Sequence, residues 1–281
     1  MQVILAKSAG FCFGVKRATQ MAFEAAGKEQ KTFTLGPIIH SPQVVHKLED
    51  LGVGVVNDLS GVHDGTVIIR SHGVLASEME EAQRKQLEIV DATCPFVKKA
   101  QEYVQYLSDA GYSVLVVGDA DHPEVQGIVS YGGKDRIYVV ASGDEVRKLP
   151  KMGKMGVVAQ TTQSFDNLRS VVTECLRRGG EVRVFNTICD ATAVRQQEAT
   201  ELAQQVDCMV VIGGYNSANT RRLAEICTDL QPRTHHIETA SEINPEWFRG
   251  VERVGVTAGA STPKWIIDDV MARLEEINNS H

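Results

Sequence analysis

Short runs of apolar and β-branched residues alternate with segments of helical spacing along the whole chain. The runs predict strands at residues 3–6, 32–35, 66–70, 113–117, 137–140, 156–159, 182–185, 208–212 and 254–257. Between them, apolar residues recur three or four positions apart, as they do on one face of an amphipathic helix. This alternation predicts an α/β protein that is built from βαβ units with largely parallel sheets.

Three cysteines occupy the same kind of position, at the end of an apolar or extended run and before a helical segment. They are Cys12 in "GFCFGVKRA", Cys94 in "DATCPFVKKA" and Cys189 in "NTICDATAVRQ". A basic pair follows the first two at the same offset, Lys16-Arg17 and Lys98-Lys99. We interpret the three segments as a degenerate internal repeat, in which the third copy matches least well.

The repeat divides the chain into three α/β domains of similar size, predicted at residues 1–94, 95–189 and 190–281. The last domain includes a C-terminal helix. In open α/β sheets, ligands bind beyond the carboxyl ends of the strands, where helices begin. Three such ends that face one centre would bring the three cysteines together.

A helix N-terminus favours the thiolate form of cysteine, which is the form that binds metal. Zinc sites usually contain closely spaced pairs such as C-x2-C, and this chain has none. Three thiolates from separate domains suit a cubane iron–sulfur cluster with one iron that has no protein ligand. A three-thiolate zinc site stays an alternative. The other cysteines, Cys175, Cys208 and Cys227, lie in apolar strand or helix patterns and are predicted to be core residues.

Composition and charge narrow the class of protein. The chain has 281 residues, is 43% hydrophobic and carries a net charge of −7, which argues against a nucleic-acid binder. No apolar run reaches the length that a membrane-spanning helix needs. The N-terminus lacks the basic region of a signal peptide, so a cytoplasmic protein is expected. Six cysteines are too few for a secreted disulfide scaffold.

Polar side chains cluster in loops that follow the predicted strands. The candidates are His40, His72, His122, Thr161, Ser217, Asn219 and Ser261. Such donors together suit a diphosphate, although the chain has neither a P-loop nor a G-x-G-x-x-G turn. Glu124 is the best acid–base candidate, because a carboxyl beside a reduced cluster would hold its proton more tightly. Taken alone, the motif favours an exposed loop glutamate.

The chain resembles the 4-hydroxy-3-methylbut-2-enyl diphosphate reductases, the LytB family, from about residue 9 to about residue 265. The resemblance rests on the three cysteine segments together with "GPIIHSPQVV", "DHPEVQG", "NSANTRRLAE" and "GVTAGASTP". The resemblance implies three similar α/β domains in a trefoil around one [4Fe–4S] cluster per chain. It assigns Cys12, Cys94 and Cys189 as the cluster ligands, with the fourth iron open to the hydroxyl of the substrate.

The resemblance also implies an activity, the two-electron reductive dehydroxylation of 4-hydroxy-3-methylbut-2-enyl diphosphate to isopentenyl and dimethylallyl diphosphate. Glu124 would relay protons together with Thr161. The diphosphate would lie against His40, His72, His122, Ser217, Asn219 and Ser261. Two departures from the pattern are Ala159 and Ala218, which stand where many relatives have hydroxyl residues.

The expected partners are the diphosphate substrate and an electron donor, ferredoxin or flavodoxin, with no nucleic acid and no membrane. Lys16-Arg17 and Lys98-Lys99 are interpreted first as solvated helix faces, and second as a surface that attracts an acidic donor. The alternative function is a non-catalytic iron–sulfur sensor, which needs the cysteines but neither Glu124 nor the diphosphate loops.

Overall fold

The computed structural model describes residues 1–27, 30–133 and 135–279, and these contain twelve strands and ten α-helices. The strands are β1 Gln2–Leu5, β2 Thr32–Leu35, β3 Val53–Val56, β4 Thr66–Ile69, β5 Glu88–Asp91, β6 Ser113–Val117, β7 Ile137–Val140, β8 Lys154–Ala159, β9 Glu181–Val184, β10 Cys208–Ile212, β11 Thr234–Ile237 and β12 Arg253–Ala258.

Among the described residues, an α-helix follows every strand except β3 and β11, and two short 3-10 helices, Ala240–Glu242 and Pro245–Phe248, lie between β11 and β12. The α-helices are α1 Phe13–Ala26, α2 Pro42–Glu49, α3 Ala76–Arg84, α4 Pro95–Asp109, α5 Pro123–Ser130, α6 Gly143–Lys148, α7 Phe165–Arg178, α8 Asp190–Ala203, α9 Ala218–Leu230 and α10 Lys264–Asn279. In the described part of the chain, no helix is both long and apolar enough to cross a membrane.

The strands form three four-stranded sheets, and all strand pairs are parallel. The orders are β3-β2-β4-β5, β7-β6-β8-β9 and β11-β10-β12-β1. Each sheet therefore repeats one connection pattern, in which the first and third strands of the unit lie at the centre and the second and fourth at the edges. This recurrence confirms the α/β class and the internal repeat.

In the third sheet, the fourth strand comes from the other end of the chain. β1 pairs with β12, with Gln2 opposite Arg253 and Leu5 opposite Val256. The predicted division at residues 1–94, 95–189 and 190–281 instead assigned the first strand to the first domain. β1 is thus a strand of the third sheet, and the three-domain division stays a prediction.

By its contacts the chain separates into two compact units, each with its own core. One unit contains Met1–Lys16, Ile39–His46 and the residues from Asp190 onward, and it holds the β11-β10-β12-β1 sheet. The other contains Arg17–Ile38 and Lys47–Cys189, and it holds the other two sheets.

Helices cover both faces of the sheets whose cores are best defined. In the β7-β6-β8-β9 sheet, α7 packs on one face through residues such as Leu168, and α4 packs on the other through Leu107. In the β11-β10-β12-β1 sheet, α10 covers one face and α8 with α9 the other. Burial on both faces explains why the central strands are continuous apolar runs, which made them easy to predict.

The sequence pattern missed three strands, β3, β5 and β11. All three are edge strands of four residues, and their sequences are VGVV, EIVD and THHI. An edge strand needs less apolar surface, so its sequence carries a weaker signal.

Candidate functional site

Each of the three candidate cysteines stands immediately before the first residue of a helix, which confirms the predicted local setting. Cys94 is the N-cap residue of α4, whose first residue is Pro95. The carbonyl of Cys12 accepts the first helical hydrogen bond of α1 from the Lys16 N–H, at 2.9 Å. Cys189 directly precedes α8. None of the three forms a disulfide; Cys12 and Cys94 are half-buried and Cys189 is buried.

The backbone N–H of each cysteine donates to a carbonyl on the neighbouring strand extension, two residues beyond the last residue of that strand. The pairs are Cys12 to Ala260 after β12 (3.2 Å), Cys94 to Ser71 after β4 (2.9 Å) and Cys189 to Thr161 after β8 (2.9 Å). The same tether in all three sheets places each cysteine at the carboxyl end of its sheet, where ligands of open α/β sheets bind.

Among residues 1–27, 30–133 and 135–279, no group of three or more His, Cys, Asp and Glu side chains is arranged to hold a metal ion. The assignment of Cys12, Cys94 and Cys189 as ligands of one cluster therefore stays a prediction. Within that assignment, the donor chemistry is suitable, because each sulfur belongs to a cysteine that forms no disulfide and stands at the positive end of a helix.

Glu124 lies in the first turn of α5 and is 2% exposed. Its carboxylate accepts two hydrogen bonds from Thr161, one from the backbone N–H at 2.7 Å and one from Oγ1 at 2.9 Å. Burial raises the pKa of Glu124, and the two hydrogen bonds from Thr161 partly oppose that rise. The alternative of an exposed loop glutamate is thus wrong, and the carboxyl is suited to hold a proton at a pH where an exposed glutamate has lost it.

His122 is the N-cap of α5, and its Nδ1 accepts a hydrogen bond from the Glu124 N–H at 3.1 Å. Because Nδ1 accepts, the proton of a neutral ring resides on Nε2. His122 is buried, and its ring lies 5.6 Å from the ring of His72 in an edge-on arrangement. The structure therefore brings together His72, His122, Glu124 and Thr161 in the unit that contains Lys47–Cys189.

The remaining polar candidates belong to the other unit. Ser217 is the N-cap of α9, and its Oγ accepts from the Thr220 N–H. Ser261 Oγ donates to the His40 carbonyl at 3.2 Å and lies 3.4 Å from Ser217 Oγ. Asn219 is 5% exposed, yet neither its amide nitrogen nor its amide oxygen has a hydrogen-bond partner among the described residues. A buried amide left in this way needs a further partner.

Residues that the sequence pattern left without a role support the loop before Ser217. The backbone N–H of Tyr215 donates to Glu238 Oε1 at 2.7 Å, and the Tyr215 hydroxyl donates to Glu242. His236 Nε2 donates to the Gly213 carbonyl at 2.8 Å. β11 carries His236, and because this polar edge strand was not predicted, its contact with the loop could not be foreseen.

The sequence also predicted three core cysteines and solvated faces for the two basic pairs. Cys175, Cys208 and Cys227 are fully buried in core clusters, and burial raises the pKa of each thiol, to about 11, about 11 and about 12. This confirms that they are core residues. The solvated-face interpretation of the basic pairs is wrong for Arg17, which is half-buried and donates to the Thr93 carbonyl at 3.2 Å.

The two alanines that depart from the family pattern, Ala159 and Ala218, lie at the end of a strand and at the start of a helix. Ala159 is fully buried at the end of β8, and its backbone N–H and carbonyl both bind Thr187 Oγ1. Ala218 is the first residue of α9.

Comparison with known proteins shows what the chain resembles. The family model described as LytB protein matches residues 3–275. The 4-hydroxy-3-methylbut-2-enyl diphosphate reductase of Trichlorobacter lovleyi is 85% identical over 281 residues, which is 100% of both chains. The protein of the same name from Pelobacter propionicus is 75% identical, again over 100% of both chains.

Two solved structures match the chain over almost its whole length. One, described as (E)-4-hydroxy-3-methyl-but-2-enyl diphosphate reductase, the terminal enzyme of the non-mevalonate pathway, is 47% identical and matches with a TM-score of 0.72, covering 98% of this chain and 100% of that one. The E-1-hydroxy-2-methyl-but-2-enyl-4-diphosphate reductase from Plasmodium falciparum is 26% identical, with a TM-score of 0.89 over 99% of this chain and 87% of that one. By its family model and its full-length relatives, the chain belongs to the LytB protein family.

Proposed function

We propose that this chain catalyses the two-electron reductive dehydroxylation of 4-hydroxy-3-methylbut-2-enyl diphosphate to isopentenyl diphosphate and dimethylallyl diphosphate. Full-length relatives at 85% and 75% identity that carry the reductase name support the reaction class. The structural observation that carries the proposal is Glu124, a buried carboxyl with a raised pKa that is hydrogen-bonded to Thr161 at the carboxyl end of a parallel sheet.

Cys12, Cys94 and Cys189 would hold one [4Fe–4S] cluster per chain. Each forms no disulfide and stands at a helix N-terminus, and each is tethered by its N–H to the extension of the neighbouring strand. Such a cluster supplies electrons to the bound substrate and, at an iron without a protein ligand, a position for the hydroxyl oxygen.

The diphosphate would be held by the polar strand-end residues. Asn219 offers a buried amide whose two polar atoms have no partner among the described residues, and a phosphate oxygen would accept from its Nδ2. Ser217 lies at the N-terminus of the 13-residue helix α9, where the helix dipole favours an anion. His122, with its proton on Nε2, is set as a donor; His40, His72 and Ser261 complete the proposed set.

Glu124 would deliver the proton that the departing hydroxyl requires. Its raised pKa keeps the carboxyl protonated at a pH where an exposed glutamate is ionised. Thr161 holds the carboxyl in place through two hydrogen bonds, so the proton is offered from a fixed position. An acid that is placed in this way contributes roughly 10²–10⁴ to the rate.

The test is anaerobic turnover of the protein reconstituted with iron and sulfide, with the diphosphate substrate and a reduced viologen. Glu124→Gln is expected to lower kcat by roughly 10²–10⁴ while cluster content stays unchanged. Glu102→Gln, which changes an exposed carboxylate on α4, is the matched control and should behave as wild type.

Wild-type protein that binds a cluster and leaves the substrate unchanged would contradict the proposal and favour the sensor alternative. A ferredoxin or flavodoxin as electron donor and a cytoplasmic location stay predictions from the sequence.

A further inference from the structure

Arg195 lies on α8 and is 3% exposed, which is unusual for a residue that is always charged. Its Nε and Nη2 both donate to the Ser8 carbonyl, at 3.1 and 2.6 Å, and Nη2 also donates to the Gly10 carbonyl at 2.8 Å. Ser8 and Gly10 lie directly upstream of Cys12. The guanidinium thus binds the segment that leads into this cysteine.

Glu198, one turn further along α8, binds the same segment from the donor side. Its carboxylate accepts from the Lys7 N–H at 3.0 Å and from the Ser8 N–H at 2.8 Å, and it also accepts from the Ser8 hydroxyl. In the turn that precedes Cys12, Arg195 thus binds backbone carbonyls and Glu198 binds backbone amides.

Arg17 repeats this arrangement for a second cysteine. It lies on α1, and its Nη1 donates to the Thr93 carbonyl at 3.2 Å while Nη2 lies 3.4 Å from the Asp91 carbonyl. Asp91 and Thr93 lie directly upstream of Cys94. The two carbonyls are again two residues apart, a spacing that the planar fork of a guanidinium can bridge.

The third cysteine uses a different residue for the same purpose. Upstream of Cys189, Thr187 Oγ1 donates to the Ala159 carbonyl and accepts from the Ala159 N–H at 2.8 Å. No arginine is needed there, because the Thr187 hydroxyl supplies both a donor and an acceptor to the end of β8.

We propose that Arg17 and Arg195 are positioning residues that fix the backbone upstream of Cys94 and Cys12, and thereby hold the direction of each thiolate. The backbone part stands on the contacts alone, and the effect on a cluster rests on the proposed function. The long arginine side chains act through the carbonyls and do not touch the reacting atoms.

Hydrogen exchange in the cluster-free, full-length protein tests the backbone part. In Arg195→Gln, exchange should rise in peptides that contain the Cys12 amide, and in Arg17→Gln it should rise in peptides that contain the Cys94 amide. The expected increase is roughly tenfold, the change that the loss of about one charged hydrogen bond gives in an opening equilibrium. Each variant should leave the peptide of the other cysteine unchanged.

Arg178→Gln is the matched control, because Arg178 also donates from a helix to a carbonyl, that of Leu149, which belongs to none of the segments upstream of the three cysteines. It should leave both cysteine peptides at wild-type rates. Equal increases at both cysteines in either variant, or no increase, would overturn the proposal. If Arg195→Gln does not fold, Arg195→Lys and Arg17→Gln decide, since lysine keeps the charge but lacks the fork.

Cluster retention tests the second part. In reconstituted protein, an iron chelator should remove iron about tenfold faster from Arg17→Gln and Arg195→Gln than from wild type. Arg195→Lys should not restore the wild-type rate. Restoration by lysine would assign a purely electrostatic role and overturn the positioning role. Failure of wild-type protein to bind a cluster would count against the proposed function and would leave the exchange result intact.

Discussion

The backbone N–H of Cys189 donates to the carbonyl of Thr161 at 2.9 Å, while the N–H and hydroxyl of Thr161 donate to Glu124. One residue at the end of β8 therefore connects a candidate cluster ligand with the candidate proton donor. Any displacement of Thr161 moves both, so the proton donor keeps a fixed position relative to this cysteine.

Replacing Thr161 with valine removes the hydrogen bond from Oγ1 to Glu124 and keeps the one from the backbone. That side-chain bond lowers the pKa of Glu124, so its loss raises the pKa further. We expect slower turnover together with a shift of the alkaline limb of the pH–rate profile to higher pH, because the acid keeps its proton longer. Thr161→Ser should restore both. A limb that moves to lower pH in the valine variant would contradict the assignment.

Glu124 also makes stability depend on pH. Its pKa in the folded state is raised from the ordinary value of 4.5, so its stabilising contribution is complete below that value and is lost as the pH rises through the folded-state pKa. Glu124→Gln does not titrate. The difference in Tm between this variant and wild type should therefore increase in favour of the variant from about pH 4.5 upward, as measured by thermal denaturation of the cluster-free protein. A difference that is constant with pH would show that Glu124 is not buried as a neutral acid.

Thiol labelling should separate the two classes of cysteine. Cys175, Cys208 and Cys227 are fully buried, and their pKa values are raised by burial to about 11, about 11 and about 12. We expect no alkylation of these three in native cluster-free protein at neutral pH, whereas the half-buried Cys12 and Cys94 react. Peptide mapping by mass spectrometry measures each site, and labelling after unfolding in denaturant is the control. Reconstitution with iron and sulfide should protect Cys12 and Cys94.

Asn219 allows binding to be separated from stability. Because neither polar atom of its amide has a partner among the described residues, Asn219→Ala should not lower the Tm in the absence of ligand. It should raise KM for the diphosphate substrate by about tenfold to a hundredfold, the effect of one strong hydrogen bond.

Asn167→Ala is a suitable contrast for this experiment. The Asn167 side chain donates to the Ala141 carbonyl at 2.8 Å, so its loss should lower the Tm and leave KM unchanged. The Tm shift on addition of inorganic pyrophosphate should be reduced in Asn219→Ala alone. An equal KM in wild type and Asn219→Ala would remove Asn219 from the proposed diphosphate site.

The sequence pattern was most informative where one local signal was sufficient. Central strands such as β6 and β10 are continuous apolar runs, and the helices after Cys12 and Cys94 show clear spacing, so both could be predicted. Edge strands such as β11 are short and polar, and their pairing depends on residues far along the chain. For the same reason, the pairing of β1 with β12 could not be read from the local pattern.

In the candidate site, too, only the features with a local sequence signal could be predicted. Which cysteines precede helices could be read from neighbouring residues. The burial of Glu124 could not, because it depends on the packing of α5 against the end of β8. The carbonyl contacts of Arg17 and Arg195 could not be predicted either, since a basic residue on a helix has the same sequence pattern whether it faces solvent or binds a carbonyl.

The pairing of β1 with β12 has a consequence for how the protein is made. Cys12 is synthesised long before Ala260, the residue whose carbonyl receives its N–H. The other two cysteines find their tethers, Ser71 and Thr161, on strands that were synthesised before them. The tether of Cys12 can therefore form only after β12 has been synthesised, later than the tethers of Cys94 and Cys189.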